Sequence, residues 1–341
     1  MKLRLPAEWE EQDGVLLAWP HRDSDWCESL PVVEPVFLNI VLEISRFEKV
    51  LLVVSEIEPV RAKLKLAGAS LEQIRFIEMP TNDTWARDFG PITVFEDERP
   101  VLLDFGFNGW GLKFASNFDN QVTGNLAHAG CFGSCDVRIP GMILEGGSLE
   151  SDGAGTLLVT SQCLLEANRN PHLSREEIET HLCRLLGVHR VLWLEKGYLA
   201  GDDTDSHVDT LARLCPDDVI AYVRCDDPSD EHYVELSEME VHLRSFRTAA
   251  GQLYRLLALP WPKACYDETG QRLPATYANF LIINNAVLVP TYRDQQDAVA
   301  LKAIAGAFPN RKIIGIDCLP LIAQHGSLHC VTMQIPKGVL V

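Results

Sequence analysis

Basic residues are scarce in this chain. Its 341 residues include 30 lysines and arginines against 48 aspartates and glutamates, which gives a formal net charge of −18. Such a chain offers no basic patch to neutralise phosphates, so nucleic acid is excluded as a partner. The negative field suits a small cationic substrate, although net negative charge also serves simply to keep a protein soluble.

Long apolar runs and targeting signals are missing as well. No stretch approaches the length needed to span a bilayer, so we expect no membrane partner. The first residues, MKLRLPAEWEEQDG, contain no apolar segment of the kind found in secretory signals. We therefore expect a cytoplasmic protein whose ten cysteines are reduced thiols.

Motifs for cofactors and structural metals are absent from the sequence. The cysteines form no CxxC pairs, and the closest two, Cys131 and Cys135, lack a second pair nearby. No GxGxxG or Walker-type glycine loop follows a predicted strand, so no nucleotide cofactor is indicated.

The chain does contain strand-like and helical segments that alternate from end to end. GVLLAWP, KVLLVVS and IRFIEMP predict strands. Met142–Thr160 predicts a hairpin that turns at Asp152 and Gly153, and Ser174 with Glu177 is a capping-box signature at the start of a helix. Because no linker or composition shift interrupts the pattern, we predict one α/β domain over residues 1–341, with mixed sheets in a cyclic arrangement.

Four polar clusters interrupt this pattern, and the first is MPTNDTWARDFGPITV. It places Asp83, Trp85 and Asp88 between two predicted strands. Ligand sites of α/β proteins tend to form at the carboxyl ends of strands, so these three residues are candidates for substrate binding. Asp88 could equally be a turn residue or the partner of Arg87.

The second cluster is ILEGGSL, in which Glu145 interrupts an apolar segment predicted to be a strand. A carboxylate buried there would need a partner, because burying it alone costs several kcal/mol. The two following glycines allow another group to approach the backbone closely. The alternative is a bulge that leaves Glu145 exposed.

The third cluster, GDDTDSHVDTLARL, carries the strongest signal. If the segment is extended, Asp205, His207 and Asp209 lie on one face. A histidine flanked by carboxylates suits a general acid and base. The segment could instead be a solvated acidic loop or a divalent metal site.

The fourth cluster is the tail, HCVTMQIP, where Cys330 is a candidate nucleophile. Most single cysteines are buried and inert, so Cys330 needs partners elsewhere in the chain. Neighbouring residues on a strand face opposite sides, which would make His329 a bystander and His207 the better base.

If these clusters converge, they combine one soft nucleophile, one acid and base, and several carboxylates. Carboxylates bind a planar guanidinium through paired hydrogen bonds, whereas they would repel an acyl oxyanion. The bound cation would favour the thiolate and make its own central carbon electrophilic. The combination predicts guanidine chemistry.

The motifs NDTWARDFGP, ILEGGSLESDGAGTLLVT, RNPHLSREEIE, DDTDSHVDTLARL and HCVTMQIP together resemble the agmatine deiminase and Porphyromonas-type peptidylarginine deiminase family. This resemblance covers nearly the whole chain. It implies a pentein fold, a five-fold pseudosymmetric α/β propeller, and a homodimer. It also implies cofactor-free hydrolysis of a guanidino group to a ureido group and ammonia.

The resemblance also implies roles for the candidate residues. Cys330 would be the nucleophile and His207 the general acid and base. Asp88 and Asp209 would bind the guanidinium, and Glu145 would hold His207 or the cation. Trp85, and Asp83 beside it, would contribute to substrate binding.

Agmatine is the expected substrate, converted to N-carbamoylputrescine through a covalent amidino-thioether on Cys330. The chain departs from the family pattern at Ser206, in AQHGSLHC and in GWGLKFAS, so a peptidylarginine or another guanidine is a second candidate substrate. Two alternative hypotheses come from other classes of protein. One is a metal-dependent hydrolase that uses His207, and the other is a non-catalytic polyamine-binding protein.

Overall fold

The structure, a computed structural model, describes residues 2–341. The strands are Leu3–Arg4 (β1), Gln12–Ala18 (β2), Lys49–Val54 (β3), Ile74–Glu78 (β4), Ile92–Glu96 (β5), Arg99–Leu103 (β6), Asp136–Arg138 (β7), Glu150–Ser151 (β8), Thr156–Thr160 (β9), Arg190–Leu194 (β10), Ala212–Cys215 (β11), Val219–Val223 (β12), Arg255–Leu259 (β13), Cys265–Tyr266 (β14), Arg272–Leu273 (β15), Leu281–Ile283 (β16), Ala286–Thr291 (β17), Lys312–Asp317 (β18) and Met333–Pro336 (β19).

The α-helices are Leu30–Ile44 (α1), Ile57–Leu66 (α2), Ala86–Phe89 (α3), Gly109–Leu112 (α4), Val122–His128 (α5), Ser161–Leu164 (α6), Arg175–Leu186 (α7), Tyr233–Ser245 (α8), Asp297–Ala307 (α9) and Leu319–Ile322 (α10). Single turns of 3₁₀ helix lie at Leu71–Gln73, Asp119–Gln121, Gly146–Ser148 and Val208–Thr210. None of the helices described in residues 2–341 combines the length and apolar character that crossing a bilayer requires.

One structural unit recurs five times within the described residues. In each unit a first strand pairs antiparallel with a second, and the second pairs parallel with a third after a helical crossover. The five sets of first, second and third strands are β5-β6-β7, β8-β9-β10, β11-β12-β13, β16-β17-β18 and β19-β2-β3. The mixed sheets and the cyclic repeat predicted from the sequence are confirmed.

The ring closes through the two ends of the chain. β19, near the carboxyl terminus, pairs antiparallel with β2, and Met333 lies opposite Leu16. The unit that contains Cys330 is therefore assembled from both ends of the sequence. That the whole chain forms a single domain stays a prediction.

Local sequence signals account for the elements that were predicted best. Ser174 accepts a hydrogen bond from the backbone of Glu177, whose side chain bonds back to Ser174, so the predicted capping box begins α7. The helix ends at Gly187, whose φ of 67° a residue without Cβ adopts most easily. The predicted hairpin is also present, but its first strand is only Glu150–Ser151.

Central strands form the core. All five residues of β12 are buried, as are all five of β9, because each strand is covered on both faces. This explains why their sequences are continuous apolar runs rather than alternating patterns. The polar residues lie instead in the segments that precede the first strand of each unit.

Candidate active site

The five units each place a polar segment just before their first strand, and these segments supply the site. Asp88 precedes β5, Glu145 precedes β8, His207 and Asp209 precede β11, Asn279 precedes β16, and Cys330 precedes β19. The pseudosymmetry of the fold therefore brings together residues that are far apart in sequence.

Cys330 is held by its backbone. Its carbonyl accepts a hydrogen bond from Arg87 N at 3.1 Å, and its amide donates to Asn279 Oδ1 at 3.3 Å. The Sγ atom lies 3.4 Å from the same Asn279 oxygen. Burial, followed by the charges of Asp209 and Asp88, raises the pKa of the Cys330 thiol well above its usual range. The group is thus a thiol in the free protein and needs a cation to become a thiolate.

The segment around His207 is not extended, so the predicted alternation of Asp205, His207 and Asp209 on one face is wrong. Asp205 and Ser206 have φ of 64° and 63°, and a 3₁₀ turn begins directly after His207. This path turns Asp205 away to ion pairs with Arg169 and Lys113, each at 2.7 Å. His207 and Asp209 still reach the site, by a turn rather than by a strand.

His207 is fully buried, and neither ring nitrogen has a hydrogen-bond partner among the described residues. Its Nδ1 lies 3.6 Å from Asp88 Oδ1. Burial lowers the pKa of His207 to about 3, although Asp209 acts in the opposite direction. The ring is therefore neutral and can accept a proton.

Asp88 and Asp209 are two buried carboxylates with different surroundings. Asp88 lies in α3 and accepts hydrogen bonds from Trp110 Nε1 and Gly147 N, both at 3.0 Å. Burial, with repulsion from Asp209 and Glu145, raises its pKa well above the usual range. Burial also raises the pKa of Asp209, but the hydrogen bond and charge of His329, with the charges of His207 and Arg213, outweigh it, so the net pKa is lowered. The pair can share one negative charge in the free protein and carry two around a cation.

Gly147 marks the point at which these side chains meet. A Cβ atom at this position would lie 2.5 Å from His207 Nδ1, 2.9 Å from Asp88 Oδ1 and 3.2 Å from Asp209 Oδ2. Its φ is not in the left-handed region, so the need for glycine here is one of space.

We expect Gly147→Ala to lower kcat/KM by about 100-fold or more, because the methyl group displaces groups that must be placed to within a fraction of an ångström. A steady-state assay of the guanidine hydrolysis expected from the sequence measures this. The matched control is Gly306→Ala in α9, where a Cβ meets nothing within 4 Å. Equal activity of the two variants would contradict the placement of the site around Gly147.

Glu145 differs from its prediction in both location and partner. It lies outside the described strands, in an extended residue before the 3₁₀ turn at Gly146–Ser148. Both carboxylate oxygens accept from Arg169 Nε, at 2.8 and 3.0 Å, and both side chains are buried. One oxygen also lies within 4.8 Å of a His207 ring nitrogen and of Cys163 Sγ. Glu145 is a buried ion-pair partner that borders His207.

The donor chemistry of this group does not suit a metal ion. Glu145 is already neutralised by Arg169, and burial raises the pKa of Cys163 well above its usual range, so the thiol stays protonated. A second group, Glu8, Glu150 and His329, encloses the guanidinium of Arg213. A cation already occupies the position that a metal would need.

His329 was expected to be a bystander, and this prediction is wrong. Residues 328–331 form a turn and residues 326–327 are irregular, so strand periodicity does not apply to this segment. His329 Nδ1 lies 2.7 Å from Asp209 Oδ2, and its Nε2 lies 2.7 Å from Glu8 Oε2.

A cavity opens beside Cys330. Five aspartates line it, which are Asp25, Asp83, Asp88, Asp202 and Asp203. Trp85, Trp110 and Phe114 supply its aromatic walls. Among the described lining residues, His325 is the only side chain of a basic type, and its Nδ1 bonds to the Gly201 carbonyl at 2.8 Å.

The two remaining candidates, Trp85 and Asp83, both line this cavity. A Cβ at Gly326 would overlap the Trp85 ring, so this glycine of the tail is needed for the ring to pack. Asp83 accepts from Trp26 Nε1 at 2.7 Å, and burial raises its pKa to about 6.

A sequence profile of the Porphyromonas-type peptidyl-arginine deiminase family matches residues 4–336. The chain belongs to this family. It is therefore a member of the pentein superfamily and a hydrolase that acts on the C–N bonds of amidines.

This member of the deiminase family is similar over almost its whole length to solved structures and to a curated relative. A crystal structure from Porphyromonas gingivalis, provisionally assigned as an arginine deiminase, is 50% identical with a TM-score of 0.95, over 100% of both chains. A C. jejuni agmatine deiminase with substrate bound is 40% identical with a TM-score of 0.92, over 99% of this chain and 97% of that chain. A Marinomonas sp. (strain MWYL1) protein, provisionally assigned as an agmatine deiminase, is 34% identical over 98% of this chain and 94% of its own length. The predicted pentein fold is confirmed.

Several residues at the site of this deiminase-family chain were missed in the sequence. Asn279 sits in the apolar segment YANFL, where an amide between aromatic residues was a usable signal. Trp110 sits between two glycines, and all three have positive φ, so this tight turn aims the indole at Asp88. Arg169 begins the motif RNPHLSREEIE, but nothing local shows that it pairs with Glu145.

Proposed function

We propose that the protein is an agmatine deiminase that hydrolyses the guanidino group of agmatine to N-carbamoylputrescine and ammonia without a cofactor. One observation carries the proposal. Both ring nitrogens of His207 and Oδ1 of Asp209 are buried without partners, close to Asp88 and Cys330. Buried polar atoms without partners are costly, and a guanidinium supplies N–H donors for the acceptors among them, which are Asp209 Oδ1 and one nitrogen of the neutral ring.

The two carboxylates bind the cation. The free oxygen of Asp209 and the carboxylate of Asp88 accept N–H bonds from the guanidinium, as paired carboxylates do with arginine. The positive charge offsets the burial and the repulsion that raise the pKa of Asp88 in the free protein. Substrate binding thus ionises Asp88, so that both carboxylates around the cation are charged.

The same charge activates the nucleophile. The guanidinium favours the thiolate, and the neutral His207 ring accepts the proton that leaves Cys330 Sγ. The thiolate attacks the guanidinium carbon. His207 then returns the proton to the departing nitrogen, and ammonia leaves as the C–N bond breaks.

Hydrolysis of the resulting amidino-thioether completes the reaction. His207, again neutral, takes a proton from water as the oxygen attacks the same carbon. The C–S bond breaks, Cys330 recovers its proton, and the product keeps one nitrogen of the original pair as a ureido group. One water is consumed and one ammonia released in each cycle.

The charge of the cavity favours agmatine over free arginine. Agmatine has an ammonium group at its far end, which suits the carboxylates of Asp25, Asp202 and Asp203. Arginine brings an α-carboxylate, for which no lysine or arginine side chain is present among the described lining residues. Like charges brought together in a partly desolvated cavity cost binding energy.

Ammonia release should be compared on agmatine, arginine, argininamide and an arginine peptide. We expect kcat/KM for agmatine to exceed that for arginine by roughly 10- to 100-fold. Argininamide should recover part of the difference because it lacks the carboxylate. Faster turnover of the peptide than of agmatine would instead identify a peptidylarginine deiminase.

Two further measurements address the hypotheses of a metal-dependent hydrolase and of a binding protein. Activity should survive a chelator and be lost on alkylation of Cys330, the reverse of what a metal-dependent hydrolase requires. A polyamine-binding protein without activity would be stabilised thermally by agmatine and release no ammonia. We also propose that the enzyme acts in the cytoplasm as a homodimer.

A further inference from the structure

His329 links the reaction site to a second layer of charged residues. Its two ring nitrogens lie 2.7 Å from Asp209 Oδ2 and 2.7 Å from Glu8 Oε2. The side chains of His329, Asp209 and Glu8 are 1%, 0% and 8% exposed, so water does not weaken these contacts. The three residues come from the tail, the 3₁₀ turn before β11 and the amino-terminal segment.

The far end of this chain of contacts is fixed independently. Glu8 Oε2 accepts from Arg213 Nη2 at 2.9 Å, and Glu8 Oε1 accepts from Ile282 N at 2.7 Å. Arg213 Nη2 also lies 3.1 Å from His329 Nε2, so Glu8 is the acceptor that both nitrogens share. The ring of His329 therefore cannot rotate without breaking a buried contact at each end.

A ring nitrogen 2.7 Å from a carboxylate oxygen must donate an N–H, since two acceptors would repel each other. His329 thus donates to Asp209 Oδ2 and leaves Oδ1, the oxygen without a partner, as the acceptor that remains for a ligand. The two oxygens of Asp209 therefore differ because His329 occupies only one of them.

We propose that His329 is a positioning residue that keeps Asp209 ionised and turned toward the substrate guanidinium, an inference that rests on the proposed function. His329 does not contact the reacting atoms in this arrangement. Its effect passes through Asp209, and Glu8 holds its other side.

The electrostatics of Asp209 set the direction of the expected effect. Burial raises the pKa of this carboxyl, and the hydrogen bond and charge of His329, together with the charges of His207 and Arg213, lower it by more. The other titratable or charged groups that face Asp209 are His207, Arg213, Arg87, Asp88 and Cys330. Without His329, burial and the neighbouring carboxylate dominate, so the pKa of Asp209 rises. Because binding needs the carboxylate, kcat/KM then falls as the pH drops through this raised value and recovers above it.

The test is the pH profile of His329→Ala and His329→Gln on agmatine. We expect kcat/KM at neutral pH to fall about 10- to 100-fold in His329→Ala, mainly through KM. The acidic limb of its profile should move to higher pH, and activity should recover at alkaline pH. Since glutamine keeps one neutral donor, His329→Gln should show a smaller shift in the same direction and serves if the alanine variant fails to fold.

His172→Ala, at an exposed position, is the matched control and should follow the wild-type profile. A uniform loss of activity at every pH, with no shift of the acidic limb, would show a merely structural role and overturn the proposal, as would an unchanged KM. Wild-type turnover of agmatine tests the proposed function separately. Failure of the proposed function is therefore distinguishable from failure of the role proposed for His329.

Discussion

Replacing Cys330 with alanine should abolish ammonia release, lowering kcat by at least about 10⁴-fold. No other described side chain lining the cavity is a cysteine, and the carboxylates around it are placed to hold a cation rather than to attack one. Without the sulfur no covalent intermediate can form. A water molecule in its place would not be activated as a nucleophile by the surrounding carboxylates. A coupled ammonia assay on the purified variant measures the loss.

The same variant should still bind agmatine, since Asp88, Asp209 and Trp85 remain in place. A rise in the thermal unfolding midpoint with added agmatine checks this point, because a ligand that binds only the folded state stabilises it. Cys27→Ala, at an exposed thiol, is the matched control and should keep full activity. Ammonia release at a comparable rate by Cys330→Ala would rule out Cys330 as the nucleophile.

The second large effect concerns His207. We expect His207→Ala to lower kcat by about 10²- to 10⁴-fold, because both half-reactions lose their proton carrier. At alkaline pH the bound guanidinium allows part of the Cys330 thiol to ionise without His207, so the first half-reaction can proceed slowly. The amidino-thioether should then accumulate, since no group remains to take a proton from the attacking water.

Intact-protein mass spectrometry of His207→Ala after incubation with agmatine at alkaline pH should show this adduct. The double variant His207→Ala/Cys330→Ala should show none, which assigns the adduct to Cys330. An adduct that disappears as fast as in the wild-type enzyme would exclude His207 as the base for the second half-reaction.

The sequence indicated the candidate side chains but not their geometry. Cys330, His207, Asp88 and Asp209 were selected because each is a reactive or charged residue that an apolar pattern does not explain. The local backbone around them was predicted wrongly, because strand periodicity was assumed for segments that are not strands. The positive φ of Ser206 and of His325 breaks that periodicity, and no local pattern predicted it.

Contacts between distant segments were also beyond the sequence. Glu145 and Arg169 pair across a hairpin and a helix, and Glu8 meets His329 across almost the whole chain. The capping box at Ser174 and Glu177, by contrast, was predicted correctly because all its atoms lie within one helical turn. Hydrophobic periodicity predicted many of the strands and helices. The arrangement of the five repeated units determines which distant residues come into contact.

The closure of the ring by β19 and β2 has a consequence for the timing of activity. β19 pairs with β2, with Met333 opposite Leu16 near the other end of the chain. We expect this pairing to form before Cys330 makes its hydrogen bonds to Asn279 and Arg87. Contacts so distant in sequence form late, since the entropy of closing the loop must be overcome first. We therefore expect a partly folded chain to keep Cys330 apart from Asp88 and Asp209, and the proposed activity to arise only when the last strand is in place.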